Sequence, residues 1–484
     1  MESTQRDINE PKIMGTEIEK TEFGEKAWTE FYRRLEEETL LLKQMFTDGL
    51  CSQRSPVGGF EIEAWLTDEQ MRPVPFNAEF LKRFDSELVT VELAKFNLEL
   101  NNTPHLLCAD VFTKFSEEMH QTCRRANSIT AEMGIRAVTM GILPTLKPSD
   151  FCMENMSEMK RYQALNERVF KERFGRPVEL DIIGDEAELK MRHDSVMLEA
   201  AATSFQIHTQ IPFGEAHHYY NASIMASAAM VAVSANSPFL FGNTLWHETR
   251  IPLFEQAVDT GEGQARVSFG SGYARESILE CFEENIESHH ILLPILFSEG
   301  AEHFSHLRLH NGTIWRWNRP LIGFDSDRKV HFRVEHRVMS AGPSLVDMLA
   351  NAAFYYGVAK MLSLECSRGE FASDFADAQE NFYKAARYGL DASILWKGDC
   401  TTIKELILNS LLPMAKEGLK KLKIDTKESD YYLGIIRDRV KSGQNGAVWQ
   451  LAYVKQYGDD MKKMSDAYWR HQQTGEPVHK WEIK

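Results

Sequence analysis

Arg333, Glu335 and Arg337 stand at alternate positions in HFRVEHRVM, with Phe332, Val334 and Val338 among the intervening residues. As a β-strand the segment presents the three charges on one face and the apolar residues on the other. Two arginines flanking one carboxylate suit a metal–phosphate complex better than a solvated surface. Far upstream, GGFEIEAWL does the same with acids: Glu61 and Glu63 share a face, opposite Phe60 and Ile62. Like charges so close repel unless a cation lies between them. The two strands together point to a magnesium–nucleotide site.

Other segments add donors of the same kind. In FNLELNN, Glu99 shares a face with Asn97 and Asn101; in TSFQIHTQ, Gln206, His208 and Gln210 share one. Glu92 lies an odd number of residues before Glu99, so a bend is required if both acids are to face one site. Each residue also has a plainer reading. Glu61 and Glu63 alone would suit a solvated strand face, His208 a core histidine, Arg250 a surface position and Arg319 a hairpin cap. MGTEIEK repeats the acid pattern at Glu17 and Glu19 without a following apolar strand, and is set aside as a decoy.

Several elements must position these groups. Residues 24–48 carry apolar side chains at three- and four-residue spacing and read as a helix. The strand at 58–66 follows. Residues 111–133 read as a long helix and RAVTMGILP as a buried strand. The charge-rich stretch 150–200 holds a helix at 157–173 and an acidic loop around Asp181–Glu188. A small-residue helix spans about 215–235. Trp315 to Arg337 reads as two antiparallel strands joined through GFDSDRK. After Gly342-Pro343 the chain turns helical. The expected organisation is a mobile polar segment at 1–20 and a single catalytic domain over 21–484, with its core at 55–391 and a helical part at 343–484.

Composition narrows the function classes. Lys plus Arg number 55 against 71 Asp plus Glu, so the net charge of −16 disfavours nucleic-acid and anionic-membrane partners. Seven dispersed cysteines without a CxxC pair argue against a disulfide framework or structural zinc and fit a reducing cytoplasm. The first residues lack the apolar core of a signal peptide, and no apolar run approaches the ~20 residues that span a bilayer.

The motifs GGFEIE, ELAKFNLELNNTP, EMGIRAVTMGILP, TSFQIH, SANSPF, GTIWRWNRP, FRVEHRVM and ARYGLD occur in this order over about residues 55–391. Together they resemble the glutamine synthetase superfamily, and within it the glutamate–cysteine ligase and carboxylate–amine ligase branch. The resemblance implies an α+β fold in which a curved, mainly antiparallel sheet holds ATP, two or three Mg²⁺ ions and an amino acid. It implies metal-binding roles for Glu61, Glu63, Glu92, Glu99 and Glu335, and phosphate-side roles for Arg333 and Arg337. Arg319 matches an arginine that contacts phosphate or substrate carboxylate, and Arg250 a substrate-carboxylate arginine. Many relatives place a metal-binding His where this chain has Gln206: either Gln206 ligates through its carbonyl, or His208, two residues on and on the same face, takes the metal, or the site is less demanding, and with His208 on the metal Gln206 is left as a substrate-binding residue. Residues 167–195 look longer than in relatives, an insertion able to cover or reshape a pocket.

The chemistry expected is ATP-dependent activation of a carboxylate as an acyl phosphate, followed by attack of an amine. The resemblance puts glutamate, through its γ-carboxylate, in the role of the acid and cysteine in that of the leading acceptor. The alternatives are a different amine acceptor, a related-fold phosphotransferase that stops at phosphorylation, or a noncatalytic protein that kept the fold.

Overall fold

The GGFEIEAWL segment forms a strand, Val57–Thr67 (β1), whose Phe60, Ile62 and Ala64 are buried while Glu61 and Glu63 remain partly open. The computed structural model of the chain describes residues 23–261, 263 and 265–483, and in it β1 lies inside an eight-stranded sheet. The remaining strands are Val89–Val91 (β2), Asn97–Asn101 (β3), His105–Leu106 (β4), Arg136–Val138 (β5), Ser204–Ile211 (β6), Asn318–Phe324 (β7) and Val330–Ser340 (β8). Across the sheet the order is β7-β8-β6-β1-β3-β2, with β4 and β5 pairing with opposite ends of β1. Every one of these pairings is antiparallel. This is the curved antiparallel α+β architecture expected from the sequence. Residues 1–20, with Glu17 and Glu19, lie outside the described residues.

Register brings the polar face together. Glu63 stands opposite Glu99, Glu61 opposite Gln206, and His208 opposite Glu335. Between His336 and Met339 the pairing of β8 with β6 slips: three steps along β8 match two along β6, from Ile207 to Phe205. Such a bulge bends the strand and re-aims its side chains. Arg337 sits in it, and its backbone N–H donates to Trp317 O at 2.9 Å.

Helices close the back of the sheet. Glu25–Thr47 (α1) buries Phe31, Leu35 and Leu42. Lys160–Glu172 (α2) borders the cleft described below. Ala216–Ser234 (α3) and Leu345–Cys366 (α4) are almost wholly buried, as helices rich in apolar and small residues must be. They attach to β7 and β8 through polar contacts inside the core. Asn318 donates to Ser227 at 3.0 Å, Ser223 and Tyr355 hydroxyls meet at 2.8 Å, and the Tyr355 ring stacks on His336 at 4.3 Å. Leu412–Lys421 (α5) crosses α4 at two glycines, where a Cβ on Gly418 would collide with the Gly357 carbonyl. Arg439 pairs with Asp347 at 2.7 Å, both fully buried, and the Val478 N–H donates to the same carboxylate at 2.9 Å.

Two expectations are corrected in detail. Asp181–Glu188 is not a plain loop: Val178–Ile183 and Glu188–His193 pair as a hairpin, the first strand alternating buried and exposed residues. The helical part after residue 343 is interrupted by a second hairpin, Ser393–Trp396 with Asp399–Thr402. None of the seven cysteines is in a disulfide. Among the described residues, no helix is long and apolar enough to cross a membrane.

Candidate active site

The polar face of the sheet floors a cleft of about 890 Å³. Glu61, Glu63, Glu92, Glu99, Gln206, His208, Arg319, Arg333, Glu335 and Arg337 all line it. Glycine makes the floor approachable from behind: a Cβ on Gly58 would meet Leu107 and the Tyr356 hydroxyl. That hydroxyl donates to the carbonyls of Gly59 and His208 at 3.3 Å, tying β1 and β6 to α4.

Glu61, His208 and Glu335 form one group, with one ligand atom from each lying within 4.8 Å of the others. His208 Nε2 is 3.0 Å from Glu61 and 3.7 Å from Glu335, yet it is buried without an aligned hydrogen bond. A buried imidazole nitrogen left without a hydrogen bond beside two carboxylates is a donor set that fits a divalent cation. His208, rather than Gln206, therefore stands with the two acids. Gln206 instead donates to Glu63 at 2.8 Å and accepts from Arg337.

Arginines hold Glu335 on its other side. Arg319 donates to it through Nε at 2.7 Å and Nη2 at 3.0 Å, and Arg337 through Nη1 at 3.0 Å. Burial pushes the Glu335 carboxyl up, but Arg319, then Arg337 and His208, more than offset this and hold it far below the usual range. Burial also raises Glu61, and its neighbour His208 outweighs that to leave it lowered. Arg333 lies opposite Gln210 on the edge of the same face, where Gly323 leaves room for its guanidinium.

The second acid group lies toward β2. The bend required between Glu92 and Glu99 is the β2–β3 hairpin, in which Thr90 stands opposite Glu99 and Glu92 follows two residues on. Thr90 and Asn101 donate to Glu99 at 3.0 and 2.7 Å. Burial and the nearby Glu61 push Glu99 up to about 7. Burial, then Glu99 and Glu63, raise Glu92 well above the carboxylate range, and the two carboxyls share a hydrogen bond. Glu63 accepts from the Ser204 N–H at 2.6 Å and hydroxyl at 2.8 Å, but burial still leaves its carboxyl raised. Carboxylates packed at such electrostatic cost are expected where cations bind.

Arg250 is placed elsewhere. It is fully buried behind the floor and is not among the cleft-lining residues. Its Nε donates to Glu248 at 3.1 Å and its Nη2 to the carbonyl of Val338. It anchors the bulge next to Arg337. The chain segment around the insertion also differs from expectation. The hairpin at 178–193 packs against Trp246 and Gln256, away from the cleft. Its flanks supply a wall instead: Met159, Arg161, Tyr162 and Leu165 before it, Val196 and Glu199 after it. Glu199 had no sequence signal, because it lies in a 3₁₀ turn, Val196–Ala201, where no face periodicity applies. Burial and Glu63 push its carboxyl up to about 7.

The lining also includes apolar side chains, among them Leu321 of β7 with Phe282, Leu293, Ile295 and Phe297, and Val91 of β2 with Leu88, Leu93 and Leu165.

Comparison with known proteins agrees with the fold. No curated protein matches the chain. Among solved structures it is similar to the glutamate–cysteine ligase of Francisella tularensis in complex with AMP, at 11% identity and a TM-score of 0.52, covering 90% of this chain and 91% of that one. It is also similar to the bifunctional glutathione synthetase of Pasteurella multocida, at 10% identity and a TM-score of 0.54, covering 90% of this chain and 55% of that longer one. At such identities the likeness is one of fold. Residues 57–476 match glutamate-cysteine ligase family 2. The chain therefore belongs to glutamate-cysteine ligase family 2 and is a carboxylate–amine ligase.

Proposed function

We propose that the protein activates the γ-carboxylate of glutamate with ATP and joins it to an amine, cysteine being the leading acceptor. The observation that carries this reading is the grouping of Glu61, His208 and Glu335 beside Arg319, Arg333 and Arg337 on one sheet face, in a chain of this family. Two or three Mg²⁺ ions, held by Glu61, His208 and Glu335 and by Glu63, Glu92 and Glu99, would neutralise the phosphate charge when bound.

The residues of the chain do the rest by position and charge. In the reaction proposed, a γ-carboxylate oxygen of glutamate attacks the terminal phosphorus of ATP and ADP departs. The amine nitrogen then attacks the acyl carbon and phosphate leaves, so that one C–N bond replaces one C–O bond. Carboxylates do not react with amines at neutral pH, and the acyl phosphate supplies the missing leaving group. Arg333 and Arg337 direct guanidinium forks at oxygens that gain charge during transfer. Arg319 is a positioning residue: two of its donors fix Glu335. Apolar lining that includes Leu321 of β7 suits a nucleobase, and the relative in complex with AMP supports use of a nucleotide.

The test is incubation with ATP–Mg²⁺, glutamate and a panel of amines, with products detected by mass. γ-Glutamylcysteine, ADP and free phosphate in equal amounts are expected. A phosphorylated product that accumulates without any amine requirement would replace the ligase reading with that of a phosphotransferase.

A further inference from the structure

Gln206 joins two groups that carry opposite charge and have separate tasks. It is buried in the floor of the cleft. Its Nε2 donates to Glu63 at 2.8 Å, and its Oε1 accepts from Arg337 Nη1. The reverse orientation of the amide would set its NH₂ against the guanidinium and its oxygen against the carboxylate, so the two partners fix which end is which. Among the described residues the Arg337 side chain makes its hydrogen bonds through Nη1 alone, the second reaching Glu335 at 3.0 Å. The guanidinium is thus held at one corner while it lines the cleft.

Glu63 and Arg337 attract each other. Each feels the other's charge, and burial makes that attraction stronger than it would be in water. Yet among the described residues they form no ion pair. Arg337 pairs with Glu335 at 3.0 Å, and Glu63 takes its hydrogen bonds from Ser204 and Gln206. The amide bridges the two and occupies both. A carboxylate at this position would repel Glu63, and an ammonium would repel Arg337. A neutral group that donates at one end and accepts at the other satisfies both.

Resting on the ligase reading above, we propose that Gln206 is a positioning residue that keeps Glu63 and Arg337 apart. Glu63 then stays available to a cation, and Arg337 to the oxygens of the transferring phosphoryl group. Without the amide the two would close on each other as a buried ion pair, and each would be lost to its task. In this role Gln206 touches neither metal nor substrate, which separates it from His208 two residues on.

Binding of Mn²⁺, an oxygen-seeking stand-in for Mg²⁺ that is read by electron paramagnetic resonance, tests this without turnover. The site concerned is the one that Glu63→Ala removes. Gln206→Ala is expected to weaken it on the order of tenfold, the scale of one charge-assisted hydrogen bond, as Arg337 takes the carboxylate. With Arg337→Met also present, Gln206→Ala should change it by less than about twofold, because the competing cation is gone. Gln206→Met keeps the bulk and loses both hydrogen bonds. It should shift Mn²⁺ affinity in the same direction by less, which covers an alanine variant that folds poorly. In assays at saturating Mg²⁺, Gln206→Ala should lower kcat about tenfold or more, with KM for glutamate within about twofold. A raised KM for glutamate with kcat retained would make Gln206 a substrate-binding residue and overturn the proposal. So would a Mn²⁺ affinity untouched by either Gln206 substitution, or a wild type with no Mn²⁺ site that depends on Glu63. A loss of equal size with and without Arg337→Met, the mark of a purely structural role, would overturn it as well. The titrations are decided separately from the ligase reading, which stands or falls on product formation.

Discussion

At the scale of single residues, the three charges of β8 do different work. Arg337 touches both Glu335 and Gln206 and faces the cleft, so Arg337→Lys should lower kcat about 100-fold, the scale for one directed donor, while ATP affinity is largely retained. Measuring nucleotide binding and maximal rate separately decides this; weakened affinity with an undiminished rate would show uniform binding. Glu335 is buried between two guanidiniums, whereas Glu61 stands beside His208 alone. Both alanine variants should lose turnover, but Glu335→Ala should also lose about 3–5 kcal/mol of stability, because it strands buried cations. Urea unfolding of the two side by side is the check, and equal stabilities would contradict it. Outside the cleft, Glu255 accepts from Trp317 Nε1 at 2.8 Å and from the Tyr383 hydroxyl at 2.7 Å, yet burial pushes its carboxyl up to about 7. A raised carboxyl binds its proton more tightly folded than unfolded, so its contribution is present at low pH and is lost as pH rises from about 4.5 through 7. The loss should be about 3 kcal/mol, and Glu255→Gln should flatten the dependence of unfolding midpoint on pH. Which residues the sequence reveals follows from periodicity. Glu61, Glu63, Glu99 and Glu335 lie on strands, where every second residue shares a face, so their grouping is legible. Glu92 reaches the group across a hairpin, and Glu199 from a 3₁₀ turn. No spacing rule announces either position. Arg250 has the right distance along the chain but the wrong side of the sheet, which spacing does not encode.

At the scale of elements, the strands with clean alternation are the ones readable in advance, and the short ones are not. RAVTMGILP contributes only Arg136–Val138 to the sheet, since the chain leaves β1 after three pairs. The bulge in β8 is equally silent in the sequence, although it sets where Arg337 points and gives Arg250 its role as an anchor of the Val338 carbonyl. The helical layer depends on close approach. Gly418 and Gly357 face each other where α5 crosses α4, and a methyl on either runs into the opposite backbone. Gly418→Ala gains helix propensity but forces the two helices apart, and should cost about 1–3 kcal/mol net of that gain. Thermal unfolding of the variant tests this; a raised midpoint would show that the crossing relaxes freely. Because α4 also carries Tyr356, whose hydroxyl bonds to the carbonyls of Gly59 and His208, the displacement should reach the floor of the cleft as a reduced kcat.

At the scale of the whole molecule, the cleft is assembled from parts of the chain that are remote from one another. β1 pairs with β6 and β6 with β8, so the neighbours Glu61, His208 and Glu335 come from three separate stretches. The family match over residues 57–476 spans all of them, together with the helices that cover the back of the sheet. This non-local order carries a consequence for synthesis. Glu61 and Glu335 are 274 positions apart, which at about 5–20 residues per second is a wait of roughly 15 to 55 s on the ribosome. Until the later strands emerge, β1 carries a bare hydrogen-bonding edge and two carboxylates with no counter-charge. The acids that make the enzyme also keep its nascent strand soluble, since adjacent like charges resist the edge-to-edge pairing that an apolar strand of the same length would invite.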